Sequence, residues 1–261
     1  MPDILIDKIT LHYETAGQGQ PLVFLNGLGQ SVRDWERQVA YFSKNYRVIT
    51  FDYRGQGASG KPAGPYSIPL FCDDTVGLLR SINAWPTHLA GLSMGGMIAF
   101  HMAVSYPELL RSMVIVNSGP VLTLLTLRQK FEFLKRRLII RVLGMHTMAK
   151  ILAGRLFPEN GQERLRREVA QRWAQNDKNA YYNSILALRD WSVLKYLGEI
   201  RCPSLVISAD QDYTPVSYKE SYVSRIHDAR LAVISNSRHT TPLDQPECFN
   251  EIVDEFLRAH S

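Results

Sequence analysis

The chain has 261 residues, 45% of them hydrophobic and 21% charged, the balance of an ordinary globular protein and too apolar for a disordered one. Its formal net charge of +5 is uneven: segment 121–195 holds 15 Lys+Arg against 6 Asp+Glu, the rest 15 against 19. A basic charge confined to one segment argues against a nucleic-acid binder. Three scattered cysteines, Cys72, Cys202 and Cys248, with no Cys-x-x-Cys or His/Cys ligand spacing, argue against a disulfide framework or a metal site.

The opening residues MPDILIDKITLHYE are too charged, and their apolar run too short, for a secretory leader, which points to a cytoplasmic protein. PLVFLNG, YRVITFDYRG, THLAGLS and RSMVIVNSG are apolar or β-branched runs closed by turn residues, the pattern of buried parallel strands. Helices are predicted between them over 67–84 and 94–106. Residues 81–107 contain no Asp, Glu, Lys or Arg. WPTH and a glycine cluster interrupt that run, so it reads as a strand and a helix, and no stable membrane insertion is expected.

Segment 121–195 breaks the rhythm, with Leu127, Phe131, Leu134 and Leu138 at helical spacing and no clear strand. Alternation resumes with SLVISAD and RLAVISN as strands, a helix over 217–226 and a closing helix over 246–260 that begins at Pro246. The expected fold is α/β: a doubly wound, mostly parallel sheet, flanked by helices, in two parts over 1–120 and 196–261, with a helical insertion at 121–195.

The stretch THLAGLSMGGMIAF sets Ser93 within Gly91-Leu92-Ser93-Met94-Gly95. Glycine weakens strands and helices by about 0.5–1 kcal/mol per residue, so several of them at a strand–helix junction need a reason. A G-x-S-x-G nucleophile elbow supplies one, because it holds its serine on a strained turn above the sheet edge. Such a serine needs a base, and the base an orienting acid, in the chain order Ser, acid, His. His88 falls in a strand, His101 in a helix, His227 and His260 at helix ends; only His239, in ISNSRHTTPLDQPE, falls in a loop just past a late strand. LVISADQDYTP offers two acids. Asp212 is favoured because its spacing carries the carboxylate toward the His239 loop, while Asp210 suits a turn cap and remains the alternative.

These residues make the chain resemble the α/β-hydrolase superfamily from about Tyr13 to the C-terminus. FDYRGQGASG matches its D-x-R-G-x-G-x-S signature through Asp52, Arg54, Gly55, Gly57 and Ser59, and HTTPLDQPE resembles its histidine-loop tail. LNGLGQS lies where the family has His-Gly after its third strand, with Asn26 in place of the histidine. The resemblance implies an oxyanion hole from the backbone N–H groups of Leu28 and Met94. A second acid position known in the family, after the strand ending at Val116, holds Asn117 and Ser118, which favours the later acid. Gly55 to Gly60 also satisfies G-x-G-x-x-G, but KPAGPY follows where a dinucleotide site needs a helix. Serine at the elbow separates the chain from dehalogenases and epoxide hydrolases of this fold, which attack through aspartate.

The implied activity is that of a serine esterase without metal or other cofactor, similar to small carboxylesterases, enol-lactonases and carrier-protein methyl ester esterases. A lactonase or a carbon–carbon hydrolase on the same machinery is the alternative, and a non-catalytic binding protein of this fold a more distant one. The substrate would be a small ester or lactone. The basic insertion has two readings. Its apolar face could close over the pocket as a cap, with Arg128, Lys135, Arg136 and Arg141 merely solvated. Alternatively its charge attracts an acid-bearing substrate or an acidic acyl carrier protein.

Overall fold

The computed structural model of the chain describes residues 2–122, 127–189 and 191–261. Strands β1 (Asp3–Ile6), β2 (Ile9–Ala16), β3 (Pro21–Leu25), β4 (Arg47–Phe51), β5 (Thr87–Leu92), β6 (Leu110–Val116), β7 (Ser204–Ala209) and β8 (Ala229–Ile234) form one sheet in the order β1-β2-β4-β3-β5-β6-β7-β8. The strands from β3 onward pair in parallel, and the β1–β2 hairpin joins β4 antiparallel. The hairpin is absent from the sequence reading, because its exposed residues leave no continuous apolar run.

Parallel strands must be covered on both faces. Alternate side chains of β3 show how: Leu22 and Phe24 pack with Trp35, Phe42 and Phe249 on one face, and Val23 and Leu25 with the core under α2 (Ile68–Ser81) and α3 (Met94–Ser105) on the other. Phe42 ends α1 (Glu36–Phe42), and Phe249 belongs to the closing helix Pro246–Arg258. Every residue of β5 is buried. Because the order reverses between β4-β3 and β3-β5, a crevice opens at the carboxyl ends of β3 and β5, where open α/β sheets bind ligands. The loop after β3 and the turn holding Ser93 flank that crevice.

Between β6 and β7 the described residues fold as α4 (Leu127–Leu156), bent at Gly144 where φ is 77°, α5 (Glu163–Trp173) and α6 (Lys178–Ala187). An antiparallel bridge between Val121 and Ser192 ties the two ends of this excursion. Ile140, Met145, Met148, Tyr181 and Ile185 form one of its clusters, against which Leu28 of the core packs.

The expectation that Leu127, Phe131, Leu134 and Leu138 close over the pocket is corrected. They are 84%, 63%, 58% and 60% exposed. The inward face of the first half of α4 is a neighbouring stripe that includes Arg136 and Ile140, and the side chain of Arg128 lies outside the described residues. Periodicity shows that a helix has an apolar stripe but not which way the stripe points. Among the described residues, no helix is long and apolar enough to cross a membrane.

Candidate active site

Ser93 sits between β5 and α3 at φ 54°, ψ −113°, a conformation that costs a non-glycine residue on the order of 1–3 kcal/mol. Its surroundings enforce it. Ser93 N–H donates to the Val116 carbonyl at 2.9 Å, and the Ser93 carbonyl accepts from Ser118 Oγ at 2.6 Å and Met97 N–H at 3.1 Å. Two glycines are required by close approach: a Cβ on Gly91 would collide with the Gly95 carbonyl, and one on Gly95 with the Leu25 carbonyl. The turn can exist only where α3 and β5 pack backbone to backbone.

His239 arrives on the loop after β8 and Asp212 on the loop after β7. His239 Nε2 lies 2.9 Å from Ser93 Oγ, and Nδ1 lies 2.6 Å from Asp212 Oδ1. With Nδ1 donating to the carboxylate, Nε2 is the acceptor for the serine proton. Tyr213 stacks on the His239 ring, centroids 4.2 Å apart. Asp210 is not in this relay. Its oxygens accept from the N–H groups of Asn236 and Ser237 at 3.0 Å each, so it caps the turn that launches the histidine loop.

The second oxygen of Asp212 accepts from Lys219 Nζ at 2.5 Å and Thr214 Oγ1 at 3.0 Å. Lys219 is fully buried and also donates to the Thr214 carbonyl and hydroxyl. Burial pushes the Asp212 carboxyl up, but the charges and hydrogen bonds of His239 and Lys219 outweigh it and hold the group well below the usual carboxylate range. Asp212 therefore stays ionised. Lys219 was not singled out in the sequence, where it falls within the helix predicted over 217–226; its partner is fixed by the fold, seven residues earlier.

Leu28 and Met94 both line the crevice. Among the described residues Leu28 N–H has no protein acceptor, and Met94 N–H is at the first position of α3, where a helix leaves its donors free. Asn26, at the position where the resemblance implies a histidine, is held on both sides: its amide donates to the Phe51 carbonyl at 2.7 Å and accepts from Trp35 Nε1 at 2.8 Å. Gln30 takes Gly27 N–H at 2.7 Å. Asn117, passed over as a non-acid, ties the His239 loop to the end of β7: its amide donates to the His239 carbonyl at 2.8 Å and accepts from Ala209 N–H at 2.7 Å.

The D-x-R-G-x-G-x-S signature is structural here. The Asp52 carboxylate accepts from Val32 and Ala58 N–H, Ser59 Oγ donates to the Asp52 carbonyl, and Arg54 pairs with buried Asp74. No dinucleotide-type helix follows Gly60; the chain stays irregular up to α2. Among the described residues no cluster of three His, Cys, Asp or Glu could hold a metal.

The sequence profile of the alpha/beta hydrolase fold matches residues 20–246. The chain belongs to the alpha/beta hydrolase family. It is 30% identical to 3-oxoadipate enol-lactonase 2 of Acinetobacter baylyi, over 96% of this chain and 94% of that one. It is also 30% identical to (E)-2-((N-methylformamido)methylene)succinate hydrolase of the same organism, over 98% and 97%. Among solved structures, the enol-lactonase of Burkholderia xenovorans superposes with a TM-score of 0.91 at 25% identity, covering 98% of this chain and all of that one. In this alpha/beta hydrolase Ser93, Asp212 and His239 follow β5, β7 and β8 and meet at one sheet edge.

The crevice above Ser93 is a cavity of about 380 Å³. Its floor comes from the sheet edge and its roof from the insertion, through Arg136, Leu152, Leu156 and Trp173. Apolar walls around a few convergent polar groups suit a small organic substrate.

Proposed function

We propose that the protein is a serine hydrolase that cleaves carboxylic esters through an acyl-enzyme on Ser93. The observation that carries this reading is the unbroken relay from Ser93 Oγ through both nitrogens of His239 to Asp212, at 2.9 and 2.6 Å. His239 Nε2 takes the serine proton as Oγ attacks the carbonyl carbon. The Leu28 and Met94 N–H groups stabilise the resulting oxyanion, donors of a kind worth about 3–4 kcal/mol each. The imidazolium, steadied by Asp212, then protonates the departing alkoxide, which leaves as the alcohol. Water enters, gives its proton to His239 and attacks the acyl carbon; Ser93 departs with that proton and the carboxylic acid is released. No step calls for a metal or redox group.

A lactonase is the second reading, favoured by full-length similarity to an enol-lactonase. The chemistry is identical, except that the leaving oxygen stays tethered and one product results instead of two. Assays of p-nitrophenyl esters, simple lactones and a diketone, each with wild type and Ser93→Ala, test both readings. Serine-dependent ester or lactone turnover supports the proposal; turnover of the diketone alone assigns carbon–carbon hydrolysis instead. Activity should survive dialysis against EDTA, and loss restored by one particular metal would overturn the mechanism.

A further inference from the structure

Among the described residues lining the cavity, Arg136 is the one permanently charged cation. Two other arginines withdrawn from water, Arg54 and Arg172, pair with Asp74 and Asp34, and Arg137, which meets the Tyr182 hydroxyl instead, does not line the cavity. Arg136 lines it and is not so paired among the described residues. Its guanidinium donates to the Tyr181 hydroxyl and rests 5.5 Å from that ring's centroid, and its Nε is shielded from solvent without an acceptor. Among the described residues no carboxylate oxygen lies within salt-bridge distance of it. Asp212, the acid lining the cavity, is occupied by His239, Lys219 and Thr214, and Glu132 on the same helix faces Arg155. A cation in an apolar cavity with only phenol for company is poorly compensated.

We propose that Arg136 binds a carboxylate carried by the acyl part of the substrate, so that the site selects anionic esters or lactones over neutral ones. The inference rests on the serine-hydrolase reading for its substrate class. A charge-assisted hydrogen bond to such a carboxylate should be worth about 10–100-fold in specificity. The test compares kcat/KM for mono-p-nitrophenyl glutarate and p-nitrophenyl pentanoate, which differ in a terminal carboxylate against a methyl group. Wild type should prefer the glutarate, and Arg136→Gln should cut the glutarate-to-pentanoate ratio by about 10–100-fold, with Arg136→Lys between. An unchanged ratio would show that Arg136 serves only to pack Tyr181. Calorimetry of monomethyl glutarate binding to Ser93→Ala protein, with and without Arg136→Lys, decides the same point without turnover. Binding that Arg136→Lys weakens supports the carboxylate site, and binding that it leaves unaltered, or no binding, overturns it. Failure of Ser93 to react with a fluorophosphonate would count against the hydrolase reading alone.

The outer face of α4 carries an independent signal. Phe131, Leu134, Leu138 and Val142 form a ridge, each 58–70% exposed, flanked by exposed Lys130, Lys135 and Arg141. Exposed apolar ridges of this extent mark contact surfaces. Glu132, the acid within the ridge, is paired with Arg155, so a second copy docked face to face would set cation against cation. The geometry points to an anionic phospholipid surface, with the ridge entering the acyl boundary and the flanking cations meeting headgroups. Co-sedimentation should show binding to vesicles of phosphatidylcholine with one-quarter phosphatidylglycerol and not to phosphatidylcholine alone. Salt at 0.5 M or the pair Leu134→Glu and Leu138→Glu should reduce it at least tenfold. No binding to the anionic vesicles, or a concentration-dependent dimer that the same pair abolishes, would overturn the assignment.

Discussion

A hydroxyl at Ser93 becomes a nucleophile only if His239 accepts its proton, and His239 accepts it only in the tautomer that Asp212 selects. Ser93→Ala and His239→Ala should therefore each lower ester kcat by about 10⁶, with no added loss in the double variant. Asp212→Asn should cost about 10⁴ through the wrong tautomer. Asp210→Asn should loosen the turn at Asn236 and Ser237 and lower stability more than turnover; the reverse ranking of the two aspartates would displace Asp212 as the acid. Lys219 adds a pH signature. In Lys219→Met the Asp212–His239 pair loses the buried cation beside it, so the pair takes up a proton more readily. On acidification the variant should lose activity at higher pH than wild type, and near neutrality turnover should fall about 10–100-fold from a less firmly held imidazole. Superimposable pH–kcat/KM profiles would show Lys219 to be a packing residue.

The strand–turn–helix from β5 to α3 is the element that makes this chemistry possible, and its glycines carry a measurable cost and return. Gly91→Ala puts a methyl group against the Gly95 carbonyl, and neither backbone can move without shifting the sheet. A loss of about 2 kcal/mol or more is expected, read as a lower urea midpoint, with activity falling alongside because the Ser93 turn must open. A silent Gly91→Ala would mean that the turn is not backbone-limited. This element was legible in the sequence because strand, elbow and helix signals sit next to one another within fourteen residues, and the histidine loop was legible for the same reason. The insertion was less so. Its helices follow from periodicity, but α4 has two candidate apolar faces, and the one that packs is chosen by Tyr181 and Ile185, more than forty residues away. Lys219 escaped notice, and Arg136 was not set apart from the cations beside it, on the same ground: a charged residue in a helix reads as solvated until its long-range neighbours are known.

For the molecule as a whole, the fold sets a pH window. His88 is buried in β5, bonded to Ser112 Oγ at 2.8 Å and Gln20 Oε1 at 3.1 Å, and burial pulls its pKa down to about 4. The unfolded chain takes up this proton near 6.5, so between these values the unfolded state binds more protons and stability falls as pH is lowered. Replacing this group by His88→Gln should flatten the decline in unfolding free energy between pH 7 and 5 by about 2 kcal/mol, whatever it does to stability at pH 7; parallel pH dependences in the two proteins would contradict it. The same sheet brings residues 93, 212 and 239 to one edge, and that convergence is the central claim. It is tested most directly by treating the folded protein with a fluorophosphonate and mapping the adduct by mass spectrometry. The account predicts one adduct per chain, on Ser93, with equal loss of ester hydrolysis and no adduct in His239→Ala. An adduct at another residue, or hydrolysis that persists in fully labelled protein, would contradict it.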